Sequence, residues 1–424
     1  MIKFKNPNNF SFKTKLILIS TLTTLVVSLL FYSGIQSIKN NINYINTPYK
    51  EKPATPEITY NEEPAQLECK NIEIIDEIID RPEPGDTIQQ NIGYQNNKVG
   101  IYIYAEVKDY VDMAEELVNS NDGEWGYVLI PYNVKDYNSE KWFQLFELLK
   151  QKKLIPIVQL YDIETEDEEK IDEQIKESSE FLTKLPWPIE KRYVSVYNEP
   201  NDKNFWKGKI DPEGYAVILD KTIDELKKHD SDFFVMNAAF NASARTGSDH
   251  LDMRNYLIRM EEKIPGVLKK LNGWASHSYP QPQFSGNPSA TGRDSIRAYE
   301  WELAFLQKQF GINSLPVFIT ETGWAHREGY SDEKEGDNNS YKYDKYQVAD
   351  NIKYAYEKIW LPDNKVVAVT PFTIRFNPPH DHFSWITEDG NPMPQFEAVK
   401  SIKKTRGKPP VINYQIRQEL DCAN

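Results

Sequence analysis

From residue 98 onward, short runs of β-branched and aromatic residues alternate with stretches whose apolar positions recur every three or four residues. Eight short runs stand out: VGIYIYAE near 99, WGYVLIPYN at 125, LIPIVQLYD at 154, YVSVYNEP at 193, FFVMNAAF at 233, GWASHSYP at 273, LPVFITETGW at 315 and VVAVTPFTI at 366. Such runs read as strands and the segments between them as crossover helices, the pattern of a parallel sheet. Between the sixth and seventh runs, Ile296, Tyr299, Leu303, Leu306 and Phe310 make one apolar stripe. Asp294 or Ser295 is placed to cap the start of that helix, and Gly311 stands just past its end. After the fourth run, Asp211-Pro212 reads as an N-cap followed by Pro in the first turn, with Tyr215, Ile218, Leu219 and Leu226 facing inward. A doubly wound open sheet has the same alternation, but no dinucleotide fingerprint accompanies it. Eight units of this length predict the α/β class and a single (β/α)8 TIM barrel of about 250 residues plus loop insertions. Its limits are expected at 98–403, with 404–424 as a C-terminal tail.

The N-terminus belongs to a different environment. Leu16 to Ile35 is a twenty-residue run without a charge, long enough to cross a bilayer as a helix. Lys3, Lys5, Lys13 and Lys15 precede it, so residues 1–15 are expected on the cytoplasmic side and the remainder outside the cell, in a type II orientation. A cleaved signal peptide is the competing reading, for which Ser33-Gly34-Ile35-Gln36 offers a poor cleavage site. Residues 36–97 are rich in Asn, Pro and Glu and read as a polar stalk leading to the barrel.

Charge and chemistry narrow the function. With 64 acidic against 50 basic residues, the net charge of −14 argues against nucleic acid or an anionic lipid surface as a partner. The acidic stretch IETEDEEKIDEQIKESSEF reads as an exposed helix with an acid-rich start, not a cation site. Cys69 and Cys422 are the two cysteines, the six histidines are scattered, and H-E-x-x-H is absent, so no metal is expected. No phosphate-binding Gly-rich loop points to an organic cofactor. The two cysteines flank a closed barrel whose first and last strands pair, so a disulfide is expected in an exported protein, two free thiols being the alternative.

In a barrel of this kind the chemistry sits where strands end at the C-terminal face. Strand four ends Tyr197-Asn198-Glu199-Pro200-Asn201, and strand seven runs Val317-Phe318-Ile319-Thr320-Glu321-Thr322-Gly323-Trp324. Alternation places Glu321 on one face with Val317 and Ile319; if those fill the barrel, Glu321 points into its mouth. Two carboxylates facing each other across the mouth suit glycoside hydrolysis, one as proton donor and one as nucleophile. A non-catalytic barrel that binds cell-surface glycan would not need both. A metal-dependent barrel would need a His/Asp/Glu cluster that these strand ends lack.

Asn198-Glu199-Pro200 on strand four together with Glu321 on strand seven resembles the clan of retaining (β/α)8 glycoside hydrolases that includes families 5 and 39. The resemblance implies Glu199 as general acid/base, Glu321 as nucleophile and Asn198 as the residue that holds the sugar 2-hydroxyl. His277-Ser278-Tyr279-Pro280 on strand six is similar to the His-x-Tyr pair of family 5, which implies that His277 and Tyr279 steady the nucleophile and touch the sugar; a structural histidine is the other reading of His277. Trp385, in FSWITEDGNPMP, resembles the clan's platform for the reacting sugar. Trp206 and Trp324 flank the two glutamates and can serve as sugar-stacking rings or as core. The resemblance further implies a β-linked carbohydrate substrate, no cofactor and a monomeric catalytic domain. Family 5 usually carries an Arg after strand two and a His after strand three. Here those strands end Pro131-Tyr132-Asn133 and Leu160-Tyr161-Asp162, so the resemblance is to the clan as a whole. The loop from His326 to Tyr346 is long and polar, either a plain surface loop or a cover for the substrate.

Overall fold

A computed structural model describes residues 92–105, 107–313, 315–329 and 341–412. The expected membrane segment, most of the stalk, both cysteines and the middle of the strand-seven loop lie outside the described residues. Among the described residues no helix is long and apolar enough to cross a membrane.

The strands are β1 (Gly100–Tyr102), β2 (Gly126–Asn133), β3 (Leu154–Tyr161), β4 (Arg192–Asn198), β5 (Phe233–Ala239), β6 (Trp274–His277), β7 (Val317–Glu321) and β8 (Val366–Val369). Each is followed by a helix: α1 (Lys108–Val118), α2 (Ser139–Gln151), α3 (Glu168–Lys184), α4 (Pro212–His229), α5 (Met253–Lys263), α6 (Ala298–Phe310), α7 (Lys345–Ala355) and α8 (Pro394–Lys400). The strands pair in parallel from β1 to β5 and from β6 to β8. Two seams close the ring. At the first, the Val369 N–H donates to Lys98 O at 2.9 Å and the Tyr102 N–H to Pro371 O at 3.1 Å. At the second, the Asn237 side chain stands in for a backbone rung, donating to Ala275 O at 3.0 Å and accepting from the Ala275 N–H at 2.9 Å.

Inside the ring, Tyr127, Leu129, Ile155, Ile157, Tyr193, Phe234, Met236, Ala275 and Phe318 form one apolar cluster. A larger one fills the layer between strands and helices. Helix α4 starts as its sequence predicts: the Asp211 carboxylate accepts from the Gly214 N–H at 2.9 Å, and Pro212 occupies the first turn. The start of α6 differs. Its N-cap is Arg297, without a side-chain cap; Asp294 is drawn off to Arg245 and Ser295 closes a separate turn with Gly292. Gly311 ends α6 at φ +66°, a left-handed geometry that glycine adopts without steric cost. The packed body extends past 98–403 at both ends. The Tyr94 hydroxyl reaches those of Tyr127 and Tyr193 at 2.8 and 3.1 Å on the barrel floor, and Ile412 is buried in the outer layer.

Candidate active site

Glu199 and Glu321 both stand at the C-terminal mouth, and neither arrives there by simple alternation. In β7, Phe318 fills the barrel while Val317 and Ile319 lie in the outer layer. This corrects the expectation that Val317 and Ile319 face inward and carry Glu321 with them; strict alternation would turn Glu321 outward. The pairing with β6 explains why it does not. Ser276 pairs with Ile319 but His277 pairs with Glu321, leaving Thr320 as an extra residue on β7. A bulge of this kind re-aims the side chain that follows it. Glu321 thereby joins His277 on the inward face.

In β4 the break is in the backbone dihedrals. Val196 and its neighbour Tyr197 both lie in the outer layer. Tyr197 has φ +78° and Glu199 φ +34°, left-handed values that cost a non-glycine residue about 1–3 kcal/mol each. Pairing with β5 holds one register on either side of the break, Val196 with Asn237 and Asn198 with Ala239. The flip at Tyr197 therefore delivers two consecutive residues, Asn198 and Glu199, to the mouth. The buried Tyr197 ring meets Trp206 edge-on at 5.8 Å, and Trp206 meets Tyr215 of α4 at 5.4 Å, so the flipped side chain has a wall to rest on.

The side chains that meet there form one network. His277 Nδ1 lies 2.9 Å from Glu199 Oε1 and 3.6 Å from Glu321 Oε2. The Tyr279 hydroxyl donates to Glu321 Oε2 at 3.0 Å. Gln159 donates to Asn198 Oδ1 at 2.9 Å and also hydrogen-bonds Glu321. Burial pushes the Glu321 carboxyl above its usual range; the His277 charge opposes this, the Glu199 charge adds to it, and the Tyr279 and Gln159 hydrogen bonds oppose it. Burial disfavours a charge on His277, but the negative charges of Glu321 and Glu199 outweigh it and raise its pKa. Burial, then the Glu321 charge, raises the Tyr279 phenol well above its ordinary value, which keeps it a hydrogen-bond donor.

Of the residues singled out in the sequence, Asn198, Glu199, His277, Tyr279 and Glu321 come together. His277 makes its shorter contact with Glu199, while Tyr279 is the one that meets Glu321. The three tryptophans lie elsewhere. Trp206 backs Tyr197; Trp324 is 2% exposed and donates through Nε1 to Gly286 O at 2.8 Å. Trp385 is 3% exposed and sits in the outer layer, its backbone N–H shared between Thr373 O and Ile374 O. Tyr279, Phe284, Phe372, Phe376 and Tyr104 are half-buried rings linked to one another. They run as an arc, Tyr279 to Phe284 at 5.1 Å, Phe372 to Phe376 at 5.4 Å and Phe376 to Tyr104 at 5.9 Å, with Phe383 bridging Phe284 and Phe372.

Sequence reasoning missed Gln159 and Tyr104. The signal was the inward phase of their own strands, since Gln159 follows Ile155 and Ile157 by twos and Tyr104 follows Tyr102. Among the described residues, no group of three or more His, Cys, Asp or Glu side chains is arranged to hold a metal ion.

No known protein family matches the chain, and no curated protein matches it in sequence. Several solved structures align with it at low identity. A glucosidase from Croceicoccus marinus aligns with a TM-score of 0.50 at 11% identity, over 73% of this chain and 67% of that one. A GH128 subgroup II endo-β-1,3-glucanase from Pseudomonas viridiflava aligns at 0.43 and 14% identity, over 72% of this chain and 97% of that one. A β-mannanase from Thermomonospora fusca aligns at 0.42 and 14% identity, over 70% and 87%. At 11% identity the alignment with the glucosidase is a likeness of fold alone, that of a parallel α/β barrel.

Proposed function

We propose that this chain is a retaining glycoside hydrolase, with Glu321 as nucleophile and Glu199 as general acid/base, acting on neutral β-linked glycans. The observation that carries the reading is the single imidazole nitrogen touching both carboxylates. The two oxygens it contacts at 2.9 and 3.6 Å are separated by no more than the sum of those distances, about 6.5 Å. Inverting enzymes hold their carboxyl groups about 6.5–9.5 Å apart to admit a water, whereas direct attack needs about 5–5.5 Å. Any bend at the shared nitrogen brings the two oxygens closer than that limit.

In the first step the Glu321 carboxylate attacks the anomeric carbon while Glu199 gives its proton to the departing glycosidic oxygen, leaving a glycosyl ester on Glu321. In the second, Glu199 takes a proton from water, the resulting hydroxide displaces Glu321 and the sugar leaves with its configuration retained. Tyr279 and Gln159 donate to Glu321 and favour its ionised form. Asn198, whose Oδ1 accepts from Gln159, would hold the sugar 2-hydroxyl. The aromatic arc offers ring faces for the C–H faces of adjoining sugars. The net charge of −14 weighs against a polyanionic glycan.

The test is a panel of β-glucans, xylans, mannans and polyuronic acids incubated with the full-length chain in detergent, read by new reducing ends. Hydrolysis of neutral polymers is expected. Preferential cleavage of polyuronic acids overturns the substrate reading, and saturable binding without cleavage replaces it with the glycan-binding barrel. The same proposal puts residues 16–35 across a membrane with the barrel outside, because an uncharged run follows four lysines. Edman sequencing of membrane-extracted protein should begin at the first residues; a start near residue 36 means cleavage.

A further inference from the structure

We infer that Asn201 is a positioning residue for Glu199, holding its carboxyl against His277 through a clamp between the loops that follow β4 and β5. The inference rests on the catalytic reading above for its consequence, but not for its geometry. Glu199 occupies a left-handed φ of +34° that its own side chain does not favour. Such a residue persists only when its surroundings over-determine it. Two backbone bonds fix it locally: the Glu199 N–H donates to Ala239 O at 3.0 Å, and Glu199 O accepts from the Asp202 N–H at 2.9 Å. The turn those bonds make still needs an anchor to the rest of the barrel.

Asn201 supplies one. It is fully buried. Its Nδ2 donates to Asn241 O and to Leu251 O, both at 3.1 Å, and its Oδ1 accepts from the Asn241 N–H at 3.1 Å. Its own carbonyl accepts from the Leu251 N–H at 2.9 Å. Both side-chain donors and an acceptor are thus committed to one neighbouring loop. That loop in turn touches the chemistry, because Asn241 pairs with His277 in a parallel bridge and His277 Nδ1 meets Glu199 Oε1. Glu199, Asn201, Asn241 and His277 therefore close a ring. Removing the Asn201 amide opens it at a point that contacts neither carboxylate.

A merely structural asparagine and a positioning one differ in what their loss does. If Glu199 is displaced, substrates that need protonation of the leaving group suffer and those that do not are spared. Asn201→Ala is made in the full-length chain, with Asn201→Ser as a milder variant should Ala impair folding. Both are assayed with phenyl and 2,4-dinitrophenyl β-glycosides of the sugar that the wild type hydrolyses. The ring ¹⁵N signals of His277 are recorded alongside, the chain having six histidines to assign.

We expect kcat/KM to fall at least about tenfold on the phenyl glycoside and less than about threefold on the dinitrophenyl one. The His277 Nδ1 signal should shift as its contact with Glu199 loosens. Equal losses on both substrates with an unmoved His277 signal overturn the inference. Should the wild type hydrolyse no glycoside, the His277 shift still decides: a shift keeps the clamp and sinks only the catalytic reading, and no shift sinks the clamp.

Discussion

Glu302 on α6 is a carboxyl with almost no access to water, 1% exposed. One oxygen accepts from the Trp274 Nε1–H at 2.6 Å, and the other has no partner among the described residues. Burial pushes its pKa from the usual 4.5 to about 7, against the opposing Trp274 hydrogen bond, the nearby Ser276 hydroxyl and the charge of His277. Because the folded chain binds this proton more tightly than the unfolded one, the stability it confers is complete below about pH 4.5. That stability is lost as pH rises through about 7. A rise of that size corresponds to roughly 3 kcal/mol. Glu302→Gln keeps the shape and the acceptor for Trp274 but cannot ionise. The new amide leaves a donor in the pocket at every pH, so the quantity to read is how the difference between variant and wild type changes with pH. Urea melts from pH 4.5 to 8.5 should show the variant gaining on the wild type by about 3 kcal/mol, most of it between pH 5 and 7.5. A flat difference across that range, or a wild type that gains as pH rises, refutes the reasoning.

Three further outcomes follow from the site and the tails. Tyr279→Phe removes the hydroxyl donor from Glu321 and should lower kcat about tenfold or more while raising the pH at which the acidic limb of the profile begins; an unchanged limb argues that Tyr279 does not tune the nucleophile. Glu199→Ala should spare glycosides with good leaving groups in the first step, and added azide should then speed turnover and yield a β-glycosyl azide; an α product reverses the roles of the two glutamates. Thiol titration of the unreduced, denatured chain should find no free thiol if Cys69 and Cys422 are bridged, and two if they are not.

The eight strands and their helices were legible because each carries its own period, and Asp211-Pro212 and Gly311 mark helix ends with local chemistry. The site was legible as residue types at strand ends. Its geometry was not, because alternation is a property of unbroken strands and both glutamates follow a break. The Thr320 bulge depends on how β7 registers against β6, a long-range matter that no window of sequence contains. The flip at Tyr197 depends on Trp206 and Tyr215 offering a pocket for an outward ring. Glu302 gave no such signal: its spacing from Tyr299 and Leu306 puts it on the buried face of α6, a place a carboxylate rarely takes. Trp274 provides the hydrogen bond that lets it stay. All three tryptophans are buried, which for Trp206 and Trp324 is the core alternative that the sequence left open, and the half-buried ring beside Tyr279 is that of Phe284, after β6.

The central claim, that Glu321 is the nucleophile of a retaining pair, is tested most directly by azide rescue of Glu321→Gly. That variant should show no turnover of a 2,4-dinitrophenyl β-glycoside. Added azide, filling the vacated space on the opposite face of the sugar from Glu199, should restore activity and release an α-glycosyl azide seen by ¹H NMR. Undiminished activity in Glu321→Gly, or a restored product that is the β-azide, contradicts the account.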